Sequence, residues 1–438
     1  MDILTCDDDY TKKKLHQMSF WIDILSIIVQ TVNDLSPLCR SPSVNIQRLL
    51  WRRYIDANGN NDKFIKRQLR MSLDSFYKLL GYVKKDLLVN ELQANRRGGA
   101  ISPEICLFCT IRWLAGGSYL DIYSITGVST ASFYRVVYKT IYYLNKCKEL
   151  EIYFPSTVAE CDVLAAGFEN ISYKSAITNC IGAIDGYLLR IHTPSKKEAG
   201  NVRGFFSGHY QCSGINVQAV CDAHCRFTLF SVVAPGSMND RSAVLESDLP
   251  KLLKDVPKGY VIIADCAYEP SEQVVPMYYG VSKKKAEFDN YNFYASQCRI
   301  RIEMSFGLMQ MKWGILWKPL KVKLDNVKHI MTCIGRLHNF VINERLLSNS
   351  KNGINHHYNS DEQLVGTGYD DRSYLPTNIT TSEGDPIGVE CDGFTSHIEY
   401  SAGISEIRDF MASRIKSLQL MRPFKNIINK RKHDDIDD

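Results

Sequence analysis

The stretch NCIGAIDGYLLRI, residues 179–191, places one aspartate, Asp185, inside an otherwise apolar run. Its aliphatic residues and the polar residues that flank it predict a buried strand of a mixed or parallel sheet. A carboxylate in such a strand costs several kcal/mol if nothing pairs with it. The pattern therefore predicts that a metal ion or a basic side chain neutralises Asp185.

Two further apolar segments end in aspartates. FTLFSVVAPGSMND, residues 227–240, predicts a strand, a Pro-Gly turn and then Asp240. GYVIIADCAY, residues 259–268, places Asp265 at the carboxyl end of a short strand. Because Asp240 precedes the helix-like RSAVLES, it is equally suited to capping that helix.

A helical pattern follows in RIRIEMSFGLMQMKWGIL, residues 299–316. Its spacing puts Glu303 on or beside the face that packs against the sheet. Carboxylate oxygens are the ligands that Mg²⁺ prefers. Three aspartates in or after strands and one glutamate on a helix thus predict a divalent-cation site.

These segments resemble the transposases of the PIF/Harbinger superfamily and their domesticated relatives. The resemblance rests on GAIDGYLLRI, APGSMNDR, IIADCAY, NFYASQCRIRIEMSFG and RLHNF, and it covers about residues 60–345. It implies an α/β catalytic domain with a ribonuclease-H-like mixed sheet flanked by helices. By the same resemblance Asp185, Asp265 and Glu303 are the catalytic, metal-binding acids. Asp240 matches the family's P-G-S-x-x-D acid, so it is expected in the metal site or beside it.

The resemblance also implies a reaction, a cofactor and partners. The reaction is phosphodiester cleavage at element ends followed by strand transfer. The cofactor is a divalent metal, Mg²⁺ with Mn²⁺ able to substitute, as two ions about 4 Å apart. The partners are double-stranded DNA carrying terminal inverted repeats, a Myb/SANT-like helper protein and further copies of the chain, in the nucleus.

Two departures from the family pattern touch the pocket. Gly186-Tyr187 stands where many members have a small residue and then Thr-His, and Cys266-Ala267-Tyr268 replaces a more usual Ser or Lys, Gly, Tyr. Neither departure removes an acid. They bear on how the substrate fits more than on metal binding.

Length and composition predict a multidomain globular chain. Its 438 residues allow two to three domains, and 45% apolar residues can build a core. The fourteen cysteines are scattered among apolar segments, which indicates reduced, mostly buried thiols. The predicted order is an N-terminal helix and linker at 1–42, an all-α DNA-binding domain at 43–150, the nuclease domain at 151–345, and an acidic flexible linker with a C-terminal helix at 346–438.

Positive charge is concentrated in the predicted helical domain. Residues 43–149 contain 17 Lys and Arg against 8 Asp and Glu, a net charge of about +9, whereas the whole chain carries +5. Such asymmetry favours binding to a polyanion. Within this block, residues 102–146 have the outline of a helix-turn-helix, with an ordinary helical hairpin as the alternative. Ser129 and Thr130 are predicted to cap its last helix.

The DNA-contacting side chains are predicted from this outline and from the basic residues around the acids. The start of the last helix would expose Ser129, Thr130, Ser132 and Arg135, while Tyr134, Val136, Val137 and Ile141 would be mostly core. The residues predicted to contact DNA near the acids are Lys196, Lys197, Arg203 and Arg299. For these last residues charge balance is an equally good explanation.

Segments near the two ends of the chain bear on membrane anchoring and on nuclear import. The apolar run at 19–32 is too short to span a bilayer and contains Asp23. Residues 404–421 regain helical periodicity, and the basic cluster at 430–432 is compatible with nuclear import. Two other functions remain open: a domesticated, catalytically silent DNA-binding or scaffold protein, and a metal nuclease that acts on RNA or on other DNA structures.

Overall fold

The computed structural model describes residues 14–27, 47–88, 99–280, 285–351 and 406–422. The chain divides into two compact units, Met1–Gln47 and Arg48–Asp438. In the first unit, helix α1 covers residues 14–27. Among the described helices none is both long and apolar enough to cross a membrane. Most of the predicted acidic linker, and the basic cluster at 430–432, lie outside the described residues.

The second unit begins with a helical block. Its helices are α2 (Trp51–Asn58), α3 (Asp62–Leu69), α4 (Leu73–Leu87), α5 (Pro103–Leu114), α6 (Tyr119–Thr126) and α7 (Thr130–Lys146). The Ser72 hydroxyl accepts a hydrogen bond from the Ser75 amide at 3.1 Å, which caps α4. The apolar stripe of α4 is buried. Ser102 caps α5 in the same way.

The segment from α6 to α7 contains the predicted tight turn, with two corrections. Gly127 ends α6 with a left-handed φ of 64°. Ser129 lies at the N-cap of α7, but its side chain makes no capping hydrogen bond, so the predicted capping role is wrong. Tyr134, expected in the core, is 37% exposed, and its neighbour Phe133 is buried instead. The other residues of the predicted core face, Val136, Val137 and Ile141, are buried as expected.

A mixed sheet forms the centre of the unit. Helix α8 (Val158–Ile171) precedes β1 (Cys180–Arg190), β2 (Phe206–Ser207), β3 (Cys212–Cys221) and β4 (Phe227–Pro235). The short helices α9 (Asp240–Glu246) and α10 (Leu249–Leu252) lead to β5 (Val261–Ala264) and β6 (Val274–Pro276). Strand β1 pairs antiparallel with β3 and parallel with β5, while β4 and β2 pair with β3 and β6 pairs with β5. The predicted mixed sheet is confirmed, and β1 lies at its middle.

Both faces of β1 are covered, which explains its nearly continuous apolar sequence. Ala183 joins the larger hydrophobic cluster with residues of α11 (Ala286–Lys312) and α12 (Leu324–Lys351). Ile184, the next residue, joins the smaller cluster with Leu249 of α10. Successive side chains of a strand point to opposite faces. Residues of the helical block belong to the larger cluster as well, so block and sheet share one core.

The predicted C-terminal helix forms as α13 (Glu406–Ser417) and packs on α11. Arg422 pairs with Asp289 of α11 at 2.7 Å, and Lys416 pairs with Glu287. A segment distant in sequence thus braces the helix that carries Glu303. The described cysteines are free and most are buried, as expected for reduced thiols.

Candidate active site

Asp185 and Asp265 come together because β1 and β5 are parallel neighbours. Ala183 is paired with Ile263. Continuing that register by two residues places Asp185 beside Asp265, just after β5 ends. The Ala267 amide donates to Asp265 Oδ1 at 2.7 Å and fixes this carboxylate at the strand end.

Helix α11 brings Glu303 and Arg299 to the same place. Tyr187, which faces the same side of β1 as Asp185, stacks on Phe306 of α11 with ring centroids 5.2 Å apart. Arg299 Nη2 lies 2.5 Å from Glu303 Oε1, and Arg299 Nη1 lies 3.7 Å from Asp185 Oδ2. The Arg299 side chain is 9% exposed and that of Glu303 36%. Arg299 is therefore a buried counter-ion of the acids.

The electrostatics of this cluster favour a further cation. Burial, then the charge of Asp265, raises the pKa of Asp185 to about 8, although Arg299 acts in the opposite direction. Burial also raises the pKa of Asp265. Clustered carboxylates that resist ionisation are those for which a bound cation brings the largest stabilisation.

Asp240 is held in a different way. The N-cap of α9 is Asn239, whose side chain accepts the Ser242 amide at 2.9 Å, so the capping role considered for Asp240 is wrong. Asp240 Oδ1 instead accepts hydrogen bonds from Asn216 Nδ2 at 2.9 Å and Gln218 Nε2 at 3.0 Å. Two neutral amides therefore fix this carboxylate.

Gly186 makes room for Asp240 against β1. A Cβ atom on Gly186 would lie 2.0 Å from Asp240 Oδ1 and 2.9 Å from Gln218 Nε2. Side chains alternate along a strand, so Gly186 faces the opposite side of the sheet from Asp185. Asp240 therefore approaches the acids from behind β1, while Glu303 approaches from the front. The absence of a side chain at Gly186 is therefore what allows Asp240 to lie against β1.

The residues that hold Asp240 were missed by sequence reasoning. The Tyr268 hydroxyl donates to Gln218 Oε1 at 2.7 Å, and Gln218 Nε2 also donates to Asn216 Oδ1 at 2.8 Å. All three side chains are buried, with Gln218 at 0% exposure. A signal did exist, because Asn216 and Gln218 are two polar residues at alternate positions of an otherwise apolar strand.

The residues predicted to contact DNA lie in two places. Ser129, Thr130 and Arg135 are exposed at the start of α7, and Ser132 there is half-buried. Lys196, Lys197 and Arg203 are exposed in the connection from β1 to β2.

The donor set fits a hard divalent cation, but the side chains are not in a ligating arrangement. Carboxylate oxygens are the right donors for Mg²⁺. No group of three or more His, Cys, Asp or Glu side chains in the described ranges is arranged to hold a metal ion. At the front of β1 the positive charge comes from Arg299.

Comparison with known proteins gave a family match for the segment that contains the acids. Residues 184–339 match the family described as DDE superfamily endonuclease, and the match includes all four acids. It supports a nuclease of the DDE transposase type for this segment and does not extend to the helical block. Searches of curated proteins and of solved structures gave no match.

Proposed function

We propose that this chain is a PIF/Harbinger-type transposase, a metal-dependent DNA endonuclease that cuts element ends and transfers the strands. The observation that carries the proposal is that Arg299 links Asp185 to Glu303, while the parallel pairing of β1 and β5 brings Asp265 to the same edge of the sheet. The mixed sheet, in which β1 pairs antiparallel with β3 and parallel with β5, supports a ribonuclease-H-like fold. The family match over residues 184–339 points to the same chemistry.

In this proposal the acids hold the cofactor. Asp185, Asp265 and Glu303 would bind Mg²⁺, or Mn²⁺ in its place, with Asp240 a ligand or an immediate neighbour. Bound divalent metal lowers the pKa of an attacking water or hydroxyl and stabilises the leaving oxygen. Arg299 keeps the carboxylates close together before cofactor binding, because its guanidinium offsets their repulsion.

The same proposal assigns DNA binding to two surfaces. The start of α7, in a helix-turn-helix, would enter a groove of the terminal inverted repeat with Arg135 and its polar neighbours. Lys196, Lys197 and Arg203 would offset the repulsion between the acids and the phosphate backbone. A Myb/SANT-like helper, self-association and nuclear localisation complete the proposal by resemblance to the family.

A catalytically silent DNA-binding protein is the second candidate, and one observation favours it. The 2.5 Å ion pair between Arg299 and Glu303 gives Glu303 a structural partner without any metal. In this alternative the cluster is a buried ion network of the fold, and only the DNA-binding surfaces function.

Metal-dependent cleavage tests the proposal. Full-length protein is incubated with supercoiled plasmid carrying the terminal repeats, with helper and with Mg²⁺, Mn²⁺ or chelator. The proposal expects cleavage that needs metal and is lost in Asp265→Asn. Cleavage should survive in Asp255→Asn, which alters an exposed aspartate on the turn Leu253–Asp255. Metal-independent DNA binding with no cleavage by the unaltered protein would favour the silent alternative.

Salt dependence tests the DNA-binding half separately. Each neutralised phosphate adds about 0.9 to the slope of log affinity against log salt. Arg135→Ala should lower that slope by about 1 in the full-length protein. An unchanged slope would assign Arg135 to another role.

A further inference from the structure

The hairpin formed by β2, residues 208–211 and the start of β3 carries exposed aromatic side chains. Phe206 pairs with Ser213 and Ser207 pairs with Cys212 across the hairpin. Phe206 is 45% exposed and Tyr210, at the tip, is 60% exposed. Both rings are therefore accessible to a ligand at this hairpin.

The hairpin is braced against the segment that leads into Asp240. The Gly236 amide donates to the Gly214 carbonyl and the Ser237 amide donates to the Gly204 carbonyl, each at 3.0 Å. The three backbone segments approach so closely that a Cβ on Gly236 would lie 2.6 Å from the Gly214 oxygen and 2.7 Å from the Phe205 oxygen. The position of the tip is therefore set relative to Asp240 by main-chain contacts.

Tyr210 itself lies within electrostatic reach of the acids. Partial burial, then the charges of Asp240 and Asp185, raises its pKa. The ring of His209 contacts the ring of Tyr210 edge to face, with centroids 4.5 Å apart. This contact orients the Tyr210 ring while leaving most of it open to solvent.

Positive side chains in the connection from β1 to β2 favour a negatively charged ligand. Lys196, Lys197 and Arg203 are exposed between β1 and the hairpin. Exposed aromatic rings beside a basic surface form the combination that binds single-stranded or distorted DNA, because bases stack on the rings while the cations follow the backbone. An apolar protein partner would not require these cations.

We propose that Tyr210 is a base-stacking residue that holds an unpaired nucleobase of the DNA next to the phosphate cut by the acids. The inference rests on the proposed function and adds a specificity-determining residue to it. Stacking would favour substrate ends that are frayed or distorted, since a paired base must first leave its helix.

The test measures stacking directly in full-length protein. The probe is a 30-base-pair duplex with one unpaired 2-aminopurine, bound in the presence of Ca²⁺ instead of Mg²⁺. Stacking on Tyr210 should quench the 2-aminopurine fluorescence. Tyr210→Ala should abolish that quenching and weaken binding of the unpaired probe about 5- to 150-fold, as expected for the loss of one base-aromatic stack. Binding of the fully paired duplex should change much less.

Two further variants separate stacking from other roles of the tyrosine. Tyr210→Phe and Tyr210→Trp should restore quenching and affinity, because they keep a ring and lose the phenol hydroxyl. Tyr153→Ala removes another tyrosine that is 55% exposed and should leave both unchanged. Equal loss on paired and unpaired probes, or no rescue by Phe, overturns the inference. If Tyr210→Ala cleaves DNA as well as the unaltered protein does, the inference is overturned and the nuclease proposal stands. If the unaltered protein quenches the 2-aminopurine fluorescence but never cleaves DNA, only the nuclease proposal is overturned.

Discussion

On the front face of β1, Asp185 and Glu303 share the charge of Arg299, whereas behind β1 Asp240 is held by the neutral amides of Asn216 and Gln218. The first arrangement balances charge, so another cation can compete for the same carboxylates. The second arrangement satisfies the hydrogen-bonding capacity of Asp240, and its strength depends on the distances and angles of those hydrogen bonds. Carboxylates within one site can thus be held by ion pairs at one face and by neutral hydrogen bonds at the other. The front face should respond to metal, and the rear face to changes of geometry.

The largest effect is expected at Glu303. Glu303→Gln keeps the size of the side chain but removes the charge that would bind a cation. Metal-dependent cleavage should fall at least about 100-fold, because loss of a metal costs several kcal/mol of transition-state stabilisation. The melting temperature without metal should change little. Strand cleavage and thermal unfolding, measured on the same preparations, check both parts.

The matched control lies on the same helix. Glu287→Gln removes a carboxylate of α11 that pairs with Lys416 and belongs to neither face. It should leave cleavage unchanged. If Glu303→Gln instead lowers the melting temperature and any cleavage persists, then the ion pair with Arg299 is structural and the front face is not a metal site.

The buried side chain of His338, which belongs to neither face of β1, should make the free energy of unfolding depend on pH. His338 is buried, its Nε2 lies 2.8 Å from the Cys225 carbonyl, and burial lowers its pKa to about 4. The unfolded state binds the proton more tightly, so stability is fully present above about pH 6.5 and is lost as pH falls towards 4.

This loss should reach about 3 kcal/mol for a pKa lowered from 6.5 to about 4. His338→Gln cannot titrate and should flatten that part of the pH profile of unfolding free energy. Urea unfolding between pH 7 and pH 4 measures it. An identical pH profile in the variant would contradict the lowered pKa of His338.

The rear face should be sensitive to a single methyl group. In Gly186→Ala the new Cβ would lie 2.0 Å from Asp240 Oδ1, so Asp240 must leave its amides or the strand must shift. We expect a loss of about 1–3 kcal/mol of unfolding free energy, as for other overpacked sites. Cleavage should fall too if Asp240 assists the acids. Gly307→Ala on α11, where a Cβ would meet nothing within 4 Å, is the control and should not destabilise the protein.

The smallest effect is expected at Tyr268. Tyr268→Phe removes the hydroxyl that donates to Gln218 Oε1 and should cost about 1 kcal/mol. Tyr291→Phe is the control, because the Tyr291 hydroxyl is buried and has no hydrogen-bond partner among the described residues. Its loss should be neutral or stabilising. Equal stabilities of the two variants would mean that the network behind β1 tolerates the loss of its outermost donor.

The strands and their acids were accessible from the sequence because burial leaves a local signature. The predicted strand at 179–191 forms as Cys180–Arg190, and that after Tyr260 forms as Val261–Ala264. The parallel pairing of β1 and β5 brings two of these predicted acids, Asp185 and Asp265, to neighbouring positions. The exposure of Tyr134 was less accessible, since the sequence does not tell which of the adjacent rings of Phe133 and Tyr134 is buried.

The sequence by itself determined the kinds of group available: four carboxylates at strand ends and on one helix, and a basic helical block. Only the tertiary structure decided that Arg299 turns inward to Glu303 and Asp185, and that Asp240 rests behind Gly186 on the amides of β3. The physical reason is the distance along the chain over which each kind of interaction acts. Apolar periodicity records what each residue does within its own strand or helix, whereas ion pairs and amide networks join residues whose separation is set by packing.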